Sequence, residues 1–142
     1  MIRNVSCFVL MLMTVSLAAC NESVTGPSPA TLMTPGTTWQ LQSFQRADAT
    51  SVQVPDPDRF TIELGADGRL SISADCNRCT ASSSQVDGSL RVNPIIACTR
   101  AACPSAPFDT EYVGALADAL VVATGSNTLE LVSKAGVLKF SR

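Results

Sequence analysis

Four cysteines crowd into 28 residues of this chain, as Cys76-Asn77-Arg78-Cys79 and Cys98-Thr99-Arg100-Ala101-Ala102-Cys103. Any fold it adopts must bring those sulfurs into one of a few arrangements. A C-x2-C and a C-x4-C eighteen residues apart can hold zinc in a tetrahedral all-thiolate site. In an oxidising compartment the same even count forms disulfides. A redox-active Cys76-x-x-Cys79 is a third possibility, and it calls for a thioredoxin-like βαβ setting with nearby positive charge. Arg78 and Arg100 supply charge, but the residues around them alternate as strands do. The compartment therefore decides the chemistry.

The first twenty residues address that question. Arg3 gives a short positive start, and Val5 to Leu17 is almost purely apolar. The run is shorter than the roughly 20 helical residues a bilayer requires, and it suits the apolar region of an export signal. It ends in Leu17-Ala18-Ala19-Cys20, which resembles a bacterial lipobox, where small alanines admit the chain to a peptidase and the thiol receives a diacylglycerol. Residues 1–19 thus read as a lipoprotein signal peptide, with Cys20 the expected lipidation site. Cleavage leaves 123 residues, 142 less 19, and removes Cys7. Acyl chains contribute about 0.8 kcal/mol per buried methylene, and stable anchoring takes more than one chain. The two or three chains that the resemblance implies would keep the protein at a membrane. An exported domain oxidises, so the four remaining cysteines are expected as two disulfides.

Residues 20–36 are rich in Ser, Thr, Pro and Gly without apolar periodicity, and read as a lipidated N-terminus and flexible linker. The domain is expected over 37–142. Trp39 and Leu41, then Phe60, Ile62 and Leu64, then Leu70, Ile72 and Ala74 alternate with polar residues, as half-buried strands do. Asp67-Gly68 and Asp87-Gly88 supply the positive φ of tight hairpin turns. Leu129 and Leu131 face Leu138 and Phe140 across Lys134-Ala135-Gly136. One stretch breaks the alternation: Phe108, Tyr112, Val113, Leu116 and Leu120 recur at helical spacing. Ser105 is placed to cap that helix, Pro107 to start it, Asp109 and Glu111 to sit at its positive end, and Gly125 to stop it. The expected fold is α+β: a single domain with a strongly bent or partly closed antiparallel sheet and one helix packed against it.

The cysteines allow three pairings. They are local (Cys76–Cys79 with Cys98–Cys103), nested (Cys76–Cys103 with Cys79–Cys98) or crossed. The nested pairs keep the sum of paired positions nearly constant, as antiparallel neighbours do. Extending the strand through Leu70, Ile72 and Ala74 also puts Cys76 on the core-facing side. A bridge closing about 28 residues contributes roughly 3–4 kcal/mol in the chain-entropy model, against about 2 for a four-residue loop. Nested pairing is favoured on these grounds, with the other two left open.

Over Thr38 to Arg142 the chain resembles META-domain lipoproteins, the HslJ-like group of bacterial envelope proteins. The resemblance rests on Trp39-Gln40-Leu41, the strand pair around Asp67-Gly68, Cys76-Asn77, Gly88-Ser89-Leu90 and Thr99-Arg100-Ala101-Ala102-Cys103. It continues through Glu111, Leu116 and Leu120 to Leu129-Glu130-Leu131 and Leu138-Lys139-Phe140. The family's usual aromatic two residues after Cys-Asn and its Gly-x-Tyr pattern are missing, Ala81-Ser82-Ser83 standing for the latter. Cys79 and Cys98 are additions. The resemblance implies that these two pair with each other, leaving Cys76 and Cys103, at the family's own positions, to pair. It also implies an envelope protein linked to stress tolerance or secretion, with no established catalysis.

Composition narrows the function classes further. With no histidine, Ser-His and Cys-His nucleophiles and imidazole metal ligands are excluded. A net charge of −2 gives no footprint for nucleic acid. Asp56 and Asp58 flank Pro57 without the later ligands of a calcium loop, and read as a solvated turn. Ser82, Ser83 and Ser84 lack a nucleophile elbow, and Trp39 reads as core. No catalytic, cofactor-binding or metal residues are expected. The expectation is a monomeric, non-enzymatic binding or structural lipoprotein whose domain lies outside the cytoplasm. Its one named partner is the membrane, through Cys20, and Asn21 favours the outer membrane where one exists. The alternatives are a thiol–disulfide redox protein using Cys76-x-x-Cys79, or an inhibitor or scavenger presenting the segment Arg46 to Asp58 to a secreted partner.

Overall fold

The computed structural model describes residues 33–105 and 107–142. The expected signal peptide, Cys20 and the linker up to Leu32 lie outside the described residues. Among the described residues, nine strands and one α-helix follow in order: β1 (Thr38–Arg46), β2 (Ser51–Gln53), β3 (Phe60–Leu64), β4 (Arg69–Ala74), β5 (Asn77–Val86), β6 (Ser89–Cys98), α1 (Phe108–Leu116), β7 (Leu120–Thr124), β8 (Thr128–Ser133) and β9 (Gly136–Ser141). A single 3-10 turn, Pro57–Arg59, precedes β3.

All strand pairings are antiparallel, and β1 closes the sheet on itself. One edge of β1 carries β3, through Thr38, Trp39 and Gln40, and then β2, through Ser43, Phe44 and Gln45. The other edge pairs with β9 from Gln40↔Ser141 to Arg46↔Gly136. The result is a closed barrel of eight strands with β2 as an added ninth. The sheet is therefore more closed than the partly closed form expected, because β1 is nine residues long and both its edges are used. Closure removes the unpaired edges that an open sheet exposes. The weakest seam is β6–β7, which meet at Arg91↔Leu120, with Val92 N–H donating to Ala119 O at 2.8 Å.

Period-two alternation fills the interior. Trp39, Leu41, Ile62, Leu70, Ile72, Val92, Leu129, Leu131, Leu138 and Phe140 all point inward and are buried. Each such side chain contributes about 1.5–3 kcal/mol relative to exposure. The hairpins lie where the turn residues put them: Ile62↔Ile72 across Asp67-Gly68, and Leu129↔Phe140 with Leu131↔Leu138 across Ala135-Gly136. Gly136, at φ +140°, sits on the closing seam, where any Cβ would run into the Gln45 carbonyl.

Helix α1 covers one opening. Phe60 meets Phe108 and Tyr112 edge-on, with ring centroids 5.0 and 5.5 Å apart, and the Tyr112 hydroxyl donates to Thr61 O at 3.1 Å. Three local expectations are corrected. The helix stops at Leu116, because Asp118 takes φ +62°, and Leu120 belongs to β7. Ser105 does not cap it; Pro107 occupies that position without a side-chain bond. Residues 33–36, read as linker, belong to the domain: Met33 is buried in the core and Gly36 N–H donates to Leu64 O at 2.8 Å.

Candidate functional site

The barrel interior is filled with side chains, and the clefts lie at the outer surface and the covered mouth. There the turn between β4 and β5, the loop after β6 and the start of α1 converge. Alternation along β4 ends at Ala74, since Asp75 adopts φ +57°. That turn resets the parity. Cys76 is exposed, not core-facing as the extended strand suggested, while Asn77, Cys79 and Ala81 point inward.

Two disulfides join these elements: Cys76 to Cys103, with Cα atoms 5.5 Å apart, and Cys79 to Cys98, with Cα atoms 4.0 Å apart. This is the nested arrangement. Cys79 and Cys98 stand directly opposite each other on β5 and β6, so their bridge lies within the ladder. Cys76–Cys103 ties the β4–β5 turn to the loop leading into α1. The sulfurs of Cys76-x-x-Cys79 thus bond to different partners and form no local redox pair. The zinc arrangement has no free thiolates to draw on.

Asn77 organises the loop. Its Oδ1 accepts from Ala101 N–H at 2.8 Å and from the Thr99 hydroxyl at 3.0 Å. Its amide donates to Ala101 O and to Cys103 Sγ, both at 3.1 Å, with the buried Asp109 carboxylate beyond at 3.5 Å. One amide thereby satisfies an irregular segment that has no ladder of its own. Behind it, Asp75 is buried and accepts from the backbone N–H of Ser105 at 2.9 Å and from the Ser105 hydroxyl, while Arg59 forms an ion pair with it. The Ser105 hydroxyl, then its backbone N–H and the Arg59 charge, hold the Asp75 carboxyl below its usual range against the cost of desolvation.

These elements enclose a cleft of about 450 Å³. Its apolar lining comes from Ala74, Val113 and the Cys79–Cys98 bridge, and its polar lining includes Thr99, Arg100, Asp109 and Thr110. The groups on offer are hydrogen-bond and charge partners on a rigid frame. A second cleft, of about 350 Å³, lies between α1 and the segment after β1, lined by Val52, Pro55, Phe60 and Phe108. The bidentate Arg46–Glu111 ion pair holds that segment to the helix, lowering the Glu111 pKa and raising that of Arg46.

The other singled-out residues lie apart from the main cleft. Trp39 is core. Asp56, just before the 3-10 turn, and Asp58, within it, are exposed, and Ser82 to Ser84 lie on β5, where Ser83 donates to Gly68 O at 2.7 Å. Asp75 and Arg59 were missed, since neither carries a motif; a polar residue at the end of a clean alternation was the available sign. Asp109, read as a helix-terminus charge, is buried beside Asn77. Among the described residues no helix is long and apolar enough to cross a membrane.

The META domain model matches residues 30–142 of the chain. Among solved structures, the chain is similar to a protein from Burkholderia xenovorans determined by NMR, at 28% identity and a TM-score of 0.60, covering 76% of this chain and 82% of that one. It is also similar to a second protein determined by NMR, at 22% identity and a TM-score of 0.53, covering 73% and 86%. A DUF4847 family protein from Bacteroides vulgatus shares 21% identity at a TM-score of 0.52, covering 73% and 90%. At such identities the last two establish a common fold alone. No curated protein matches the sequence.

Proposed function

The chain belongs to the META domain family, and from that premise we propose that it is a lipoprotein of the bacterial cell envelope whose barrel binds a partner rather than transforming a substrate. The observation that carries this reading is Leu17-Ala18-Ala19-Cys20 at the end of a short apolar run behind Arg3. Acyl chains on Cys20 hold the protein at a membrane. The Pro- and Ser-rich residues that follow give the domain reach from that surface. The domain stays outside the cytoplasm, at the outer membrane where the organism has one, in keeping with the stress-tolerance or secretion role that the HslJ-like resemblance implies. A binding role is supported by a filled barrel interior, which leaves the cleft beside Asn77 as the natural place for a ligand or a protein edge.

Metabolic labelling with a palmitate analogue, followed by membrane fractionation, tests the anchor. The wild-type chain is expected to take up label and sediment with membranes. Cys20→Ala is expected to lose the label and enter the soluble envelope fraction. An unlabelled wild-type chain, or one that fractionates like Cys20→Ala, refutes the proposal.

A further inference from the structure

The two bridges differ in a way that bears on reactivity. Cys79–Cys98 lies inside the β5–β6 ladder, with Cys79 3% exposed and Cys98 packed against the core. Cys76–Cys103 joins a turn to a loop and is asymmetric: Cys76 is exposed and Cys103 only 8% exposed. The buried sulfur also has a hydrogen-bond donor, the Asn77 amide, at 3.1 Å. The amide's two N–H groups face Ala101 O and the Cys103 sulfur, both at 3.1 Å, with the Asp109 carboxylate farther away at 3.5 Å.

Thiol–disulfide exchange needs an accessible sulfur for the incoming thiolate and a stabilised thiolate as leaving group. We infer that Cys76–Cys103 is a thiol-exchange site at which Cys76 is attacked and Cys103 leaves, the reactant being a thiol or dithiol of the envelope. The incoming thiolate forms a bond to Cys76 Sγ. The Cys76–Cys103 bond breaks, and its electron pair goes to Cys103 Sγ, which departs as a thiolate facing the Asn77 amide and then takes a proton from water. With a monothiol the product is a mixed disulfide on Cys76. With a dithiol, the second thiolate of the donor attacks its own bound sulfur and releases Cys76. Two electrons then pass to the protein and the donor ends as a disulfide. Hydrogen bonding to the charged form of sulfur favours the departure of Cys103 over that of Cys76.

The loop can survive this step. After opening, Asn77 still holds Thr99 and Ala101, and Asp75 still holds Ser105. Exchange therefore releases the Cys103 end of the loop whose residues Thr99 to Ala102 line the cleft, without dismantling the barrel, which Cys79–Cys98 continues to staple.

The test uses the full-length oxidised protein, purified from membranes in detergent and exposed to limiting reduced glutathione. The reaction is quenched with acid, alkylated and mapped by peptide mass. The expected product carries glutathione on Cys76 and alkyl on Cys103, with Cys79–Cys98 intact and opening at least about tenfold more slowly. Dithiothreitol at the same thiol concentration should give the Cys76/Cys103 dithiol without an adduct. As a second measure, the lone Cys76 of Cys103→Ser should alkylate at least about tenfold faster than the lone Cys103 of Cys76→Ser. Should either variant fail to fold, the wild-type map decides by itself. Glutathione on Cys103, equal opening of the two bridges, or no opening without denaturant would overturn the inference.

Discussion

Nested bridges should not act independently, and the structure sets the size of their coupling. Cys76–Cys103 spans a sequence separation of 27 and Cys79–Cys98 one of 19, the second enclosed by the first. Replacing Cys76 and Cys103 by alanine frees a loop whose length depends on the inner bridge. With that bridge absent, the loop is the full 28 residues, and the chain-entropy relation gives a loss of about 3.6 kcal/mol. With it present, the inner residues are already shortcut and the separations differ by only 8. The outer bridge then closes about 10 residues and contributes ~2.7 kcal/mol. Packing adds little at exposed Cys76. We expect Cys76→Ala/Cys103→Ala to lower the midpoint by roughly 10–20 °C. The same pair of substitutions should cost about 0.9 kcal/mol more when Cys79 and Cys98 are also alanine. Urea unfolding followed by the fluorescence of Trp39, the one tryptophan and a core residue, measures all four proteins in one cycle. Strict additivity, or coupling of the opposite sign, would refute the unfolded-state argument.

Three further outcomes follow from particular contacts. Gly136→Ala forces a Cβ into the Gln45 carbonyl on the β1–β9 seam and should cost about 3 kcal/mol in urea unfolding, with amide exchange accelerated first along β9. Asp75→Asn probes acid stability. The folded-state pKa of Asp75 lies below its unfolded value, so its contribution is fully present above about pH 4 and is lost as pH falls through the lower folded value. The variant should be less stable at neutral pH, and its stability should fall less steeply between pH 5 and 2. Tyr112, the one tyrosine, is fully buried, and desolvation pushes its pKa up. Its folded value exceeds the unfolded one, so stability should decline as pH rises past about 10. Tyrosinate absorbance near 295 nm should then appear together with unfolding, and its appearance in the folded protein near pH 10 would contradict the burial.

What could be read from the sequence was local. Ile62 facing Ile72 and Leu131 facing Leu138 follow from alternation on either side of a glycine turn, where the register is set by neighbours only a few residues away. The closing of β1 on β9 joins residues nearly a hundred positions apart, and no local pattern reports it. Leu120 was misread because a residue four positions after Leu116 suits a helix as well as a strand start; the left-handed turn at Asp118 decides between them. Met33 reads as linker because the Leu32-Met33 pair sits between Thr and Pro residues with no apolar periodicity around it. At the site, the four cysteines and Asn77 were visible as residue types. The exposure of Cys76 was not, since it depends on Asp75 breaking the strand's parity. The Asp75–Ser105–Arg59 group joins three segments by polar contacts that carry no periodic signal.

The central claim is an exported chain anchored through Cys20 and stapled by two disulfides. Intact mass of the protein extracted from membranes, before and after reduction, tests it most directly. The account predicts a chain that begins at Cys20 and carries diacylglycerol there, and that gains four hydrogens on reduction, two for each bridge. A mass that retains residues 1–19, lacks the acyl groups, or does not change on reduction would contradict it.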